Sequence, residues 1–144
     1  MKNMKKRIVV DASVMVKWIR TEREELLAQA DKLLRDFQEG KVDLYTPELA
    51  KYEVGNVLVK RKLLTDQANA SLATLYSIPI NYVPETRELA DRSYIFASDL
   101  TVSYYDGAYL SLAQVIDAIL ITENIKHLGK TKKVDVIALS QYGR

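Results

Sequence analysis

The 144 residues predict a single α/β domain with a mostly parallel sheet, and three observations carry that prediction. First, short uninterrupted apolar runs rich in β-branched residues, such as Ile8-Val-Val10 and Ala118-Ile-Leu-Ile-Thr122, read as strands buried on both faces. Second, the stretches between such runs repeat apolar residues at spacings of three and four, the period of an amphipathic helix. Third, the chain is one domain long, and 48% of its residues are apolar, ordinary for a globular protein. At this size about two-thirds of the unfolded surface can be buried, enough for a full core. No repeat, low-complexity tract or linker divides the chain, so residues 1–144 are read as one domain.

The elements follow in order. Arg7 to Asp11 is the first strand. Residues 22–38 predict a helix, with Leu26, Leu27, Ala30, Leu33, Leu34 and Phe37 on one face and Gly40 as its stop. Val42 to Thr46 is the second strand. Thr46-Pro47 then opens a helix, with threonine as cap and proline at the first position, running to about Leu63 with Leu49, Ala50, Val54, Val57 and Leu58 on one face. Thr65-Asp66 caps another helix, to about Tyr76. Ile80 to Val83, bracketed by Pro79 and Pro84, is the third strand. Thr86 to Ser98 is helical with Leu89, Ser93 and Phe96 inward, and Ser103 to Ile116 is helical as well. Ala118 to Thr122 is the fourth strand, Ile125 to Leu128 a short helix, and Val134 to Leu139 the last strand.

Composition excludes several chemistries. There is no cysteine, which removes disulfides, thiolate zinc sites and cysteine nucleophiles. A single histidine, His127, rules out a multi-histidine metal centre. Any bound metal would be held mainly by oxygen, which favours Mg²⁺ or Mn²⁺. The 21 basic and 19 acidic residues leave a net charge of +2, which neither demands nor excludes nucleic acid. No apolar run approaches the ~18–20 residues of a membrane span. The basic N-terminus is followed by too short an apolar run for a signal peptide, so a soluble, cytoplasmic protein without a membrane partner is expected.

In parallel sheets ligands bind beyond the carboxyl ends of the strands, and several acids map there. Asp11 ends strand 1; it is either a site carboxylate or the N-cap of a helix starting Ala12-Ser-Val. Glu53 sits in an apolar stripe, with Leu49, Ala50, Val54 and Val57 at −4, −3, +1 and +4. A buried carboxylate must be neutral, paired or metal-bound, and Lys60 or Arg61 are alternative partners. Asp106 continues the core face of Tyr109, Leu110, Ala113 and Ile116 one turn back, although Ser103-x-x-Asp106 also resembles a capping box. Glu123 and Asn124 directly follow strand 4, with Asn124 a candidate helix cap. Two carboxylates ~5 Å apart repel by roughly 3 kcal/mol at an effective dielectric of 20, so a cluster of three calls for a cation or retained protons. Such a cation can activate water and stabilise displacement at phosphorus, which is the chemistry of a metal-dependent nuclease.

Val9-Val-Asp-Ala-Ser13, Glu53 within its apolar helix, Tyr105-Asp-Gly-Ala-Tyr-Leu-Ser-Leu-Ala113 and Leu120-Ile-Thr-Glu-Asn124 together resemble the PIN domain, most closely the VapC-type toxins of prokaryotic VapBC toxin–antitoxin pairs. The resemblance spans about residues 7–139. It implies a five-stranded parallel sheet flanked by helices in three α/β/α layers, and a Mg²⁺- or Mn²⁺-dependent endoribonuclease acting on structured RNA such as tRNA or rRNA. It implies a cognate antitoxin as partner, a homodimer, and Asp11, Glu53 and Asp106 as the first three acidic positions. Of these, Asp11 and Asp106 hold the metal directly and Glu53 completes the first or second shell. Ser13 and Thr122 match supporting hydroxyl residues. Where the family usually has Thr-x-Asp, this chain has Thr122-Glu123-Asn124, so Asn124 takes the fourth acidic position and Glu123 its neighbour. The longer Glu123 side chain is a candidate to swing in.

Lys126, Lys130, Lys132 and Lys133, with His127 among them, are candidate contacts for RNA phosphates, against the plain reading of a solvated loop. Tyr104, Tyr105 and Tyr109 are candidate base-stacking residues, with core packing the favoured reading of Tyr105 and Tyr109 at helical spacing. Trp18, in the run Val14 to Ile19, is a candidate for a subunit or antitoxin interface. The alternative function is a catalytically weakened or inactive PIN-fold module that binds RNA or protein, with Asn124 as the feature favouring it. A haloacid-dehalogenase-like phosphatase or phosphoacceptor receiver fits less well, because Asp11-Ala-Ser13 is not Asp-x-Asp and no glycine-rich phosphate loop is present.

Overall fold

The computed structural model describes residues 5–19 and 26–144. Five strands make one sheet: β1 (Lys6–Val10), β2 (Val42–Pro47), β3 (Asn81–Val83), β4 (Ile119–Thr122) and β5 (Val136–Ala138). Their order is β3-β2-β1-β4-β5 and every pairing is parallel. Val9 lies opposite Tyr45 on one side and Leu120 on the other. Parallel neighbours need crossovers, and helices supply them: α1 (Ala12–Ile19), α2 (Leu27–Gln38), α3 (Leu49–Lys60), α4 (Thr65–Ser77), α5 (Arg87–Leu100), α6 (Tyr104–Val115) and α7 (Ile125–Leu128). The predicted α/β class and five parallel strands are thus what the chain forms. Residues 22–25 of the helix predicted over 22–38 lie outside the described residues. Gly40, in the left-handed region at φ 76°, ends α2 as expected.

β1 runs through the centre. Ile8, Val9 and Val10 are all fully buried, which requires cover on both faces of the sheet. α6 lies across β1, β2 and β4 and carries α5 on its outer side, while α1 contacts β4 and α2 contacts β2. Each such buried aliphatic side chain contributes roughly 1.5–3 kcal/mol relative to exposure. Gly107 lets α6 and α5 meet closely: a Cβ there would stand 2.3 Å from the Ser93 carbonyl oxygen. Leu89, Ser93 and Phe96 are buried as predicted, and Ser93 shares a 2.8 Å hydrogen bond with Ser111 across the helix pair.

Three expectations are corrected. α1 extends to Ile19 what the sequence offered only as a helix start at Ala12-Ser-Val, the alternative reading of Asp11. Its Trp18 is 5% exposed and donates from Nε1 to the Ala30 carbonyl at 2.8 Å, so it locks α1 to α2 inside the core instead of presenting an interface. Thr46 does not cap α3. It is fully buried in β2 and donates from Oγ1 to the Val10 carbonyl at 2.7 Å, while α3 begins only at Leu49, after Glu48. No helix among the described residues is long and apolar enough to cross a membrane.

Candidate active site

The strand order reverses direction between β1 and β4, and in open parallel sheets that switch point opens a crevice at the carboxyl edge. Asp11 follows β1 there, and Thr122 to Asn124 close β4. Asp11 fills both roles offered by the sequence. Its carbonyl accepts from the Val14 and Met15 N–H groups at 3.0 and 3.3 Å, so it is the N-cap of α1. Its carboxylate accepts from the Ser13 N–H at Oδ1 (3.3 Å) and from the Thr122 hydroxyl at Oδ2 (2.6 Å). Thr122 Oγ1 in turn accepts from the Asn124 N–H at 2.8 Å. These bonds fix the carboxylate's orientation and leave lone pairs on both oxygens.

Glu53 reaches in from α3. Tyr109, 1% exposed on α6, donates to Glu53 Oε1 at 2.6 Å. Burial drives the Tyr109 phenol far above its ordinary pKa, and the charges of Asp11 and Glu53 add to this, so it stays a donor. Helical spacing placed Tyr109 in the core correctly but gave no sign of this bond. Of the alternative partners, Lys60 is exposed at the end of α3. Asp106 sits half-buried in the first turn of α6, where its N–H donates to the Ser103 hydroxyl at 3.0 Å. The capping role of Ser103 therefore coexists with a carboxylate facing the crevice.

Asp11 and Glu53 both feel their acidic neighbours. Burial raises the Asp11 pKa despite the Thr122 and Ser13 bonds, and Asp106 pushes it further up. Burial also raises Glu53, and Asp11 and Asp106 add to the shift against the Tyr109 bond. A set of hard oxygen donors that repel one another is the chemistry a divalent cation relieves, so the residues present fit Mg²⁺ or Mn²⁺. The set is open: among the described residues, no three Asp, Glu, His or Cys side chains are drawn together as a ready-made metal cage.

The remaining candidates divide. Ser13 Oγ accepts from the Glu123 N–H at 3.1 Å, which joins α1 to the loop after β4. The Glu123 carboxylate does not swing toward Asp11 as a fourth acid; its Oε2 lies 3.1 Å from Lys17 Nζ. His127 on α7 brings Nδ1 to 4.0 Å from Asp106 Oδ2. Lys126 shares α7 with it, and Lys130 Nζ donates to the Leu100 carbonyl at 3.3 Å. Lys132 and Lys133 precede β5 and enter the sheet from its amino edge, so the fold does not bring them to the carboxylates. Tyr105, read as core, is instead 59% exposed. With Leu49, Tyr52, Asn56 and Glu53 it lines an open cleft of about 360 Å³.

A model of the PIN domain matches residues 8–133. A search of curated proteins finds no match. Among solved structures, the chain is similar to one in VapBC2 from Rickettsia felis bound to a DNA fragment from their promoter, with TM-score 0.72, 14% identity, and 92% of this chain and 98% of that chain covered. It is similar to one in a toxin–antitoxin complex from Klebsiella pneumoniae, with TM-score 0.67, 18% identity and coverages of 92% and 97%. It is also similar to VapC20 from Mycobacterium tuberculosis, a sarcin–ricin loop cleaving toxin, with TM-score 0.60, 15% identity and coverages of 78% and 86%.

Proposed function

The chain belongs to the PIN domain family, and from that premise we propose that it is a metal-dependent endoribonuclease, the toxin of a VapBC-type toxin–antitoxin pair. The observation that carries this reading is the placement of Asp11, Glu53 and Asp106 around the switch point of the sheet, with Thr122 and Tyr109 holding the first two. The substrate is structured RNA, tRNA or rRNA, in keeping with a neighbour that cleaves the sarcin–ricin loop. The protein works in the cytoplasm. A cognate antitoxin is the natural partner, since two neighbours come from toxin–antitoxin assemblies. A homodimer is supported by the apolar side chains that α3 and its following turn expose, Tyr52, Val59 and Leu64.

In this reading Asp11 and Asp106 hold a Mg²⁺ or Mn²⁺ ion and Glu53 completes its surroundings. Bound there, the ion would lower the pKa of a water and stabilise charge developing on the phosphate. The chain's own residues do the rest. Thr122 and Ser13 aim the Asp11 carboxylate, and Tyr109 holds Glu53. Lys126 and Lys130 draw the phosphate backbone toward the carboxyl edge. Tyr105 offers an exposed ring face beside Glu53 for a base to stack on.

The test is cleavage of labelled tRNA and an rRNA fragment with Mn²⁺, Mg²⁺ or EDTA, with Asp11→Asn alongside. Metal-dependent cutting that disappears in the variant is expected, and cutting that persists in the variant would sink the assignment. One observation favours a second reading, a catalytically weakened or inactive PIN-fold module that binds RNA or protein. Asn124 stands at the fourth acidic position, and no ready-made cage forms among the described residues. Absence of both cutting and Mn²⁺ binding would select it.

A further inference from the structure

The loop that follows β4 is fastened to α1 at two points. Ser13 and Lys17 are four residues apart on α1 and so face the same way. Ser13 takes the Glu123 backbone N–H, and Lys17 takes the Glu123 carboxylate. The Lys17 side chain is only 4% exposed, and that of Glu123 is 30% exposed. A buried ammonium persists only with anionic or polar partners, and removing one leaves an uncompensated charge. The Glu123 carboxylate is therefore committed to Lys17 rather than available to an ion.

This changes the charge count of the crevice. Asn124 is neutral, and its N–H is bonded to Thr122 Oγ1. Glu123 is neutralised by Lys17. Three carboxylates remain: Asp11, Glu53 and Asp106. Two divalent ions about 3.5–4 Å apart, as in two-metal sites, would bring four positive charges against these three negative ones. One ion leaves the set satisfied.

We infer that the carboxyl edge of this chain takes one divalent ion, and that Lys17 is the positioning residue that keeps Glu123 out of the ion's ligands. The inference rests on the metal reading above and concerns only the number of ions and who holds them.

Mn²⁺ alone is the probe, titrated into the full chain, with free Mn²⁺ counted by electron paramagnetic resonance and heat by calorimetry. The wild-type protein is expected to bind one ion. Glu123→Gln is expected to keep that count and to weaken affinity by less than tenfold, because it leaves Lys17 with one anionic partner fewer but removes no ligand. Lys17→Met keeps the buried stem but frees Glu123, and is expected to tighten Mn²⁺ binding roughly tenfold, comparable in size to the effect that groups around metal ligands have on affinity. Lys17→Arg, which keeps the ion pair, is expected to restore the wild-type value. Thermal melts of each variant check folding, and the Glu123→Gln arm stands even if Lys17→Met fails to fold. Two ions on the wild type, a tenfold or greater loss of affinity in Glu123→Gln, or no tightening in a folded Lys17→Met would overturn the inference. Complete absence of Mn²⁺ binding to the wild type would instead overturn the metal reading beneath it.

Discussion

Asp11 and Asp36 are covered almost equally, at 8% and 9% exposure, yet their acidities move in opposite directions. Asp36, on α2, accepts from the Tyr142 hydroxyl at 2.5 Å and from Lys32 Nζ at 3.2 Å. The Tyr142 bond, helped by Lys32, holds its carboxyl below the ordinary value of 3.8. Asp11 also accepts two hydrogen bonds, but burial dominates, and its charged neighbour is another carboxylate, so its pKa rises. Asp11 lies deep in the fold and Asp36 just beneath its surface, so equal exposure hides unequal desolvation. What separates them is first this depth and the Tyr142 bond, and then the charged neighbour each one has. Asp36 has Lys32, whereas Asp11 has Asp106 and Glu53, a deficit that an ion from solution can fill.

The sharpest way to break this contrast is to neutralise each aspartate. Asp11→Asn is expected to abolish metal-dependent cleavage while raising the melting temperature of the metal-free protein, because a strained buried charge is gone. Asp36→Asn is expected to leave cleavage intact and lower the melting temperature. A metal-free Asp11→Asn protein that melts lower than wild type would show that the Asp11 charge is already compensated within the fold. Mn²⁺ extends the test: at a free concentration about 100 times Kd it should stabilise the wild type and Asp36→Asn by about 2.7 kcal/mol, and Asp11→Asn by far less.

Next in size are the groups that aim the carboxylates. Thr122→Val removes the hydroxyl that donates to Asp11 and accepts from Asn124. Tyr109→Phe removes the donor to Glu53. Changes to residues that orient metal ligands cost about 10–100-fold in metal affinity or activity, and both variants are expected in that range by Mn²⁺ titration and cleavage rate. Affinity unchanged in both would mean that hydrogen bonding does not set the geometry of this site.

Which of these residues could be read in advance follows from what each one's neighbours reveal. β1 and β4 were legible because burial on both faces leaves nothing but apolar residues in Ile8–Val10 and Ile119–Ile121. Glu53 was legible because an acid breaks an otherwise apolar helix stripe. α1 was legible only as a helix start after Asp11, for the opposite reason: Val14, Met15, Val16, Trp18 and Ile19 are all buried, so no polar face marks a helical period. The Lys17–Glu123 pair and the Ser13 bond were hidden in either case, since both join α1 to a loop more than a hundred residues away. Thr46-Pro47 carried a sound capping signature, but the Val10 carbonyl claimed the Thr46 hydroxyl. The Asp36–Tyr142 bond likewise spans 106 positions, and helical spacing cannot reveal it.

The smallest expected effect is a pH dependence whose sign differs between the two aspartates. Asp36 has a depressed folded pKa, so it contributes stability above its unfolded value of 3.8 and loses it as pH falls through the folded value. Asp11 and Glu53 have raised folded pKa values, so the metal-free native state takes up protons before the unfolded chain does. Their contribution therefore grows as pH falls from their folded values toward the ordinary 3.8 and 4.5. Urea midpoints of the metal-free protein are expected to show this as a gain on mild acidification, flattened in Asp11→Asn, followed by a loss at lower pH as Asp36 protonates. Tyr142→Phe isolates that second limb. It removes one hydrogen bond to a charged, partly solvated acceptor, worth about 1 kcal/mol, and leaves the crevice untouched. A Tyr142→Phe protein with an unchanged acid limb would place the source of that loss elsewhere and dissolve the contrast between the two aspartates.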